Sequence, residues 1–314
     1  MLYGLQLIPQ YREYVWGGNR LRPEHVPTAE AWVVYEHNQI ASGALEGKTL
    51  AEACQQFGAD LLGWQVVTKT GLRFPLLIKL LDCAEWLSLQ VHPNDEQARL
   101  LEGPGFFGKT EAWYFIEAEP GAEILYGVLP GVTRAQLAEA IRNGTILDLM
   151  QHTPVQAGDS MLISPGTIHA LGPGLLVYEV QQTSDLTYRV FDWNRPASQG
   201  RPLHIDQSLL VANPQAPRRF FPASQLKGEG VQELISCEYF TLERIAADTE
   251  ALTLNTGQVS FHALTVIEGR AEVEGDGWML QLERFDSVII PACCDHYQVR
   301  PLTPLSLLRA RAAG

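Results

Sequence analysis

Residues 87–95 read LSLQVHPND, an apolar run that ends in a Gln, a His and a Pro. Side chains two apart in a strand share a face, so Gln90 and His92 project together. Pro93 has no N–H for a ladder and stops the strand, and Asn94 is placed to start a helix over NDEQARLLEG. An inward Gln and an inward His each need a partner, because a buried polar group left unpaired costs roughly 1–3 kcal/mol.

Outward from this stretch the chain reads as short strands broken by turns. PLLIKLLDC and EWLSLQVH lead into it, and EAWYFIEAE, AEILYGV, SMLISP, LLVYEVQQT and YRVFDW follow. FTLERI, FHALTVIEG, AEVEGD, WMLQL, SVIIPA and LSLLRA fill the C-terminal third. That spacing predicts a mainly β chain, an antiparallel sandwich or barrel with inserted helices. Two helices announce themselves by capping boxes: Thr49 with Glu52 opens TLAEACQQFGADLLG, and Thr133 with Gln136 opens TRAQLAEAIRNG, closed by Asn143-Gly144. Residues 158–170, GDSMLISPGTIHA, lie without a gap on 285–297, FDSVIIPACCDHY. Asp159 meets Asp286, Ser160 meets Ser287, Ile163 meets Ile290 and His169 meets His296. The repeat predicts two related β-barrels, over roughly 75–210 and 220–312. A Pro- and Gly-rich linker at 213–230 divides domains 1–212 and 213–314.

Composition narrows the function. The chain has 314 residues, 46% hydrophobic and 19% charged, with a mean hydropathy of -0.05, enough to bury a large core. A net charge of -13 argues against nucleic acid and against an anionic membrane as partners. No apolar run approaches the ~18 residues of a membrane span, and MLYGLQLIPQYREYVWGG carries charges where a signal peptide has its apolar core. The five cysteines lack CxxC spacing, which points to neither a disulfide framework nor a Cys-zinc site. The expectation is a cytoplasmic protein, monomeric or a small homo-oligomer, acting on a small molecule.

Glu111 heads the apolar face of EAWYFIEAE with Trp113 and Phe115, and His169 follows the turn SPGTI. Gln90, His92, Glu111 and His169 can satisfy one another by converging on a divalent metal. Two imidazoles, a carboxylate and an amide oxygen suit Zn(II), with Fe(II), Mn(II), Co(II) or Ni(II) as alternatives. The plainer reading keeps each His as a satisfied core residue and Glu111 as a solvated strand end.

Three segments in order, LSLQVHPNDEQA, GKTEAWYFIEAEPGAEILYG and SPGTIHALGPGLLVYEVQQTSDLTYRVFDWNR, resemble the type I mannose-6-phosphate isomerases of the shorter bacterial form, which are cupin-fold zinc enzymes. YVWGGNRL and GRPLHIDQSL extend the resemblance over nearly the whole chain. It implies two cupin-like (jelly-roll) β-barrels with a few inserted α-helices, and one Zn(II) per chain. Gln90 and His92 fall on the family's Gln-x-His pair, Glu111 on the Glu of its Lys-x-Glu motif, and His169 on its second His ligand. Ser164-Pro165-Gly166 replaces the usual Pro-Ala-Gly, and AEAWVVYEHNQI only loosely follows the family's Gly-Glu-x-Trp stretch. His296 has no Gln-x-His partner, so the C-terminal half reads as a degenerate cupin without metal.

The implied reaction interconverts D-mannose 6-phosphate and D-fructose 6-phosphate through a cis-enediol. It needs a base near C1 and C2, a Lewis acid for developing oxyanions, and cations for the phosphate. Glu179, Gln181, Thr183 and Asp185 share strand parity, and Arg189 keeps it unless the SDLT turn breaks it. Lys109 lies two residues before Glu111. The resemblance implies that Lys109, Glu179, Asp185 and Arg189 belong to the site. Lys109 and Arg189 are the candidates for phosphate or developing charge; the base is Glu179, Asp185 or a metal-bound water. His204 and the Cys293-Cys294 pair read as structural. Two rivals stand: a metal-containing cupin that binds a sugar phosphate without turnover, as a regulator, and a metal-dependent cupin dioxygenase, in which the Gln ligand and the two cations have no role.

Overall fold

A computed structural model describes residues 2–196 and 201–313. The chain forms two compact units, residues 11–31 with 80–223, and residues 1–10 with 32–79 and 224–314. A linker-based division at 212/213 does not draw this grouping, because residues 32–79 pack with the C-terminal strands. The Phe74 and Phe261 rings pack tilted with centroids 4.6 Å apart, and the Phe261 amide donates to the Leu62 carbonyl. Within the expected linker, Arg218–Phe221 is a strand paired antiparallel with Ser160–Ile163.

The unit that carries the candidate site holds two antiparallel sheets. One runs Tyr188–Phe191, Leu89–Val91, His169–Leu171, Glu123–Val128, Met150–Pro154. The other is seven-stranded and begins Arg218–Phe221, Ser160–Ile163, Glu111–Ala118, Leu175–Gln182 and then Leu76–Cys83, where the chain enters the unit. Trp113, Phe115, Met161, Ile163 and Val177 from the second sheet share one core with Ile124, Tyr126 and Leu171 from the first. Because both faces are largely covered, these strands read as continuous apolar runs rather than as alternations. A second apolar cluster lies under helices Arg134–Asn143 and Ile205–Val211, with Leu89, Val91, Leu137, Ile141 and Val211 as members.

The other unit repeats the plan. A six-stranded sheet, Leu5–Gln6, Ser287–Ile290, His262–Glu268, Leu305–Ala312, Phe240–Ala247, Gly230–Ser236, is accompanied by a four-stranded one, Leu252–Asn255, His296–Pro301, Ala271–Gly275, Trp278–Leu282. Ile245, Leu264, Val266, Leu307 and Val288 from the first meet Val273, Leu282 and Val299 from the second. Each unit is thus a double-sheet jelly roll of the cupin kind, and among the described residues the strand orders are open rather than closed into barrels.

The expected capping boxes form at Thr49/Glu52, Thr133/Gln136 and also Asn94/Gln97. The first helix is shorter than TLAEACQQFGADLLG: Gly58, at φ 50°, breaks it into Leu50–Phe57 and Ala59–Leu62, and Trp64–Thr70 follows. Gly63, at φ 93°, divides the last two, and a Cβ there would stand 2.3 Å from the Val259 carbonyl oxygen. Among the described residues no helix is long and apolar enough to cross a membrane.

Candidate metal centre

Strand register brings the candidate ligands together. Gln90 pairs with His169 on one side and with Arg189 on the other, and directly opposed residues of an antiparallel pair share a face. His92, two residues on, projects the same way. Glu111 starts its strand on the facing sheet, paired with Ile163 and Gln181. The strand ends at Val91, as Pro93 requires, and the helix Asp95–Glu102 begins the insertion that returns at Glu111. The insertion is tied at both ends. The Lys109 amide donates to the Pro93 carbonyl at 3.0 Å, and Gln182 takes the Thr110 amide on its Oε1 while its Nε2 donates to Asp95.

His92, Glu111 and His169 are fully buried, and one donor atom from each lies within 4.8 Å of the others. His169 Nε2 is 3.1 Å from Glu111 Oε1, and His92 Nε2 is 3.6 Å from Glu111 Oε2. His92 Nδ1 lies 2.9 Å from the Leu186 carbonyl, and His169 Nδ1 lies 2.9 Å from the Thr167 carbonyl. A carbonyl only accepts, so each Nδ1 carries the proton and each Nε2 lone pair faces the cluster. That is the tautomer a metal ligand needs, fixed by its backbone partner. His169 Nε2 and both Glu111 oxygens are buried within ion-pair distance but not aligned for a hydrogen bond. Four ligands at 2.0–2.2 Å from a tetrahedral ion would stand about 3.4 Å apart, close to the separations found. The donor set fits a divalent metal.

Electrostatics agree. Burial pushes the His92 imidazole well below its ordinary pKa, helped by the Lys109 charge, so it stays neutral. Burial alone would raise the Glu111 carboxyl; the Lys109 ammonium beside it holds it well below the carboxylate range. The Lys109 ammonium sits 3.0 Å from Glu111 Oε2 and 3.3 Å from His92 Nε2, a cation among the candidate ligand atoms. The cluster selects for positive charge.

The remaining candidates divide. Glu179 is buried and accepts a 2.8 Å hydrogen bond from the Trp113 indole N–H, and the Trp113 ring also meets the His169 ring edge-on at 5.3 Å. Arg189 is 8% exposed, and its Nε is buried without a hydrogen-bond partner. Burial and then Arg201 lower its pKa to about 10, so it stays charged at neutral pH. Asp185 is exposed in the loop after Gln182, where the strand has ended and parity no longer holds. Several supporting groups escaped the sequence reading. Trp113 and Gln182 read as ordinary strand residues, and the Leu186 and Thr167 carbonyls belong to the backbone, which side-chain patterns do not reveal.

Two family models match the chain: the type I phosphomannose isomerase catalytic domain over residues 5–105, and the mannose-6-phosphate isomerase cupin domain over 230–302. A mannose-6-phosphate isomerase of Streptococcus mutans is 35% identical over 307 residues, spanning 94% of each chain. The chain belongs to the type I mannose-6-phosphate isomerases. Mannose-6-phosphate isomerase ManA of Bacillus subtilis is 34% identical over 296 residues, covering 90% of this chain and 91% of that one. The crystal structure of a B. subtilis mannose 6-phosphate isomerase superposes with a TM-score of 0.87 at 30% identity, covering 98% of this chain and 99% of that one. A zinc-bound mannose 6-phosphate isomerase shares the fold alone, with a TM-score of 0.75 at 17% identity over 99% of this chain and 100% of its own. Within this type I isomerase chain, Gln90 and His92 lie inside the catalytic-domain match, whereas Glu111 and His169 lie outside both matched segments.

Proposed function

We infer that the chain is a metal-dependent aldose–ketose isomerase that interconverts D-mannose 6-phosphate and D-fructose 6-phosphate by proton transfer through a cis-enediol. Family membership supports the reaction. The observation that carries the metal is the pair of buried imidazoles, each with Nδ1 committed to a backbone carbonyl and Nε2 turned towards Glu111. His92, Glu111 and His169 would hold the ion, with Gln90 as the fourth ligand from the same face as His92. Two imidazoles, a carboxylate and an amide make zinc the best-suited ion, one per chain. When bound, it supplies Lewis-acid stabilisation of the negative charge that develops on the sugar oxygens.

The protein's own groups do the rest. Arg189 offers a buried guanidinium two strands from His169. Neighbouring strands lie about 4.8 Å apart, so its backbone stands roughly 10 Å from that of His169, in scale with an open-chain six-carbon sugar phosphate. It would take the phosphate. Lys109, beside Glu111, would balance charge next to the ligands. Glu179, buried and oriented by Trp113, is better placed than the exposed Asp185 to hold and move the proton between C1 and C2.

The test is purified protein supplied with mannose 6-phosphate, fructose 6-phosphate being read by a coupled assay beside metal analysis. EDTA-sensitive turnover with one divalent ion per chain is expected. Tight sugar-phosphate binding without turnover would overturn the enzyme reading in favour of a regulator.

A further inference from the structure

Arg189 is held by one short segment through three hydrogen bonds. The Arg189 amide donates to His204 Nδ1 at 3.2 Å, the His204 amide donates to the Arg189 carbonyl at 2.8 Å, and Arg189 Nη1 donates to the Pro202 carbonyl at 3.3 Å. His204 thus adds a rung to the outer edge of strand Tyr188–Phe191, whose other edge pairs with Leu89–Val91. We propose that His204 is a positioning residue, the clamp that sets the backbone and guanidinium of Arg189 towards the substrate, and that it works only as the neutral imidazole.

The chemistry follows from the acceptor. An amide N–H only donates, so His204 Nδ1 must present its lone pair, and the ring proton sits on Nε2. Protonation would put a second N–H against the Arg189 amide and a second positive charge beside the guanidinium. The groups facing the ring are Arg189 and Tyr188 from the strand and Glu102 from helix Asp95–Glu102; the Tyr188 hydroxyl donates to Glu102 at 2.8 Å. Burial and then Arg189 lower the His204 pKa below its ordinary value, while Glu102 opposes them, which keeps the ring neutral at physiological pH. Below that pKa the clamp opens. This inference rests on the reading of Arg189 as the phosphate-binding cation.

The experiment is steady-state isomerase kinetics of the metal-loaded protein across about pH 5 to 8, for wild type, His204→Ala, His204→Asn, Arg189→Ala and the Arg189→Ala/His204→Ala double variant. Asn places an amide oxygen where Nδ1 stood and does not titrate. Losing the hydrogen bond that fixes the Arg189 amide predicts about a tenfold fall in kcat/KM for His204→Ala, mainly in KM. His204→Asn should recover to within about threefold and move the acid limb of the profile to lower pH. The double variant should be no worse than Arg189→Ala alone, because the clamp acts only through that residue. Wild-type kinetics in His204→Ala, additive losses in the double variant, or an unmoved acid limb in His204→Asn would each overturn the proposal. Should His204→Ala fail to fold, the acid limb of His204→Asn decides alone. An unimpaired Arg189→Ala enzyme would instead overturn the phosphate reading itself.

Discussion

His92 and His169 meet Glu111 from two neighbouring positions on the facing sheet, and their rings lie 4.9 Å apart. Two imidazoles this close tolerate burial because each donates its Nδ1–H to a main-chain oxygen. Removing either ring should therefore remove the ion rather than tune it. His92→Ala is expected to lose both bound metal and turnover, whereas Arg189→Ala keeps the metal and loses activity about 100-fold or more. Metal content by elemental analysis beside the coupled assay separates the two, and an active, metal-free His92→Ala protein would discard the site. Trp113 yields a finer test, since its indole N–H is a hydrogen-bond donor to Glu179. Trp113→Phe keeps the ring against His169 but removes that donor. It should retain the metal and lower kcat about tenfold at nearly constant KM; an unchanged kcat would remove Glu179 from proton transfer.

At the level of elements, one side chain bridges the two ends of the insertion between Pro93 and Glu111, beside the Lys109–Pro93 and Gly108–Asp95 hydrogen bonds. Gln182 accepts from the Thr110 amide at 2.9 Å and donates to Asp95 at 3.0 Å, joining the insertion's two ends. Gln182→Ala leaves the buried Thr110 amide without its partner, while Asp95 keeps the Gly108 amide, so we expect about 1–3 kcal/mol of destabilisation in denaturant melts. Lys109 and Glu111 follow Thr110 directly, so metal affinity should fall as well, by roughly tenfold in chelator competition. Gln182 marks where sequence reading stops. Gln90 and His92 were legible because strand parity alone puts them on one face, and Glu111 because a carboxylate at the head of an apolar strand asks for a partner. Gln182 has the opposite parity to Gln181, and nothing along the chain says that Asp95 waits beside it. Asp185 lies where parity gives no guide: extrapolated past Gln182 it runs into a loop, where period two has no meaning. The repeat aligned Ile163 with Ile290, and the registers extend that match: Glu111 pairs with Ile163 where His262 pairs with Ile290. His262 therefore occupies the place of Glu111, which no identity in the sequence reveals. His296, the formal partner of His169, is exposed and bonded to Asn255, and Tyr297 is the residue turned inward.

For the molecule as a whole, the two jelly rolls differ in what fills this equivalent position, and the difference sets how stability depends on pH. In the C-terminal sheets His262 is buried, with Nδ1 2.8 Å from the Tyr297 hydroxyl, near the ion pair in which Arg309 Nε donates to Glu243 at 2.7 Å. Burial, then Arg309 and Arg311, push its pKa from 6.5 down to about 3. The sign follows from proton counting. Between those two values the unfolded chain binds a proton that the folded chain excludes, so acid favours unfolding. The contribution is intact above pH 6.5 and is lost progressively as the pH falls towards about 3. Its slope is on the order of 1 kcal/mol per pH unit. His262→Gln removes the titration while keeping a polar group near Tyr297. Denaturant unfolding at a series of pH values, in excess EDTA to silence the metal centre, should show a shallower acid slope for His262→Gln than for wild type. Equal slopes would mean that His262 takes up its proton in the folded state, and that the Arg309–Glu243 pair does not shield it.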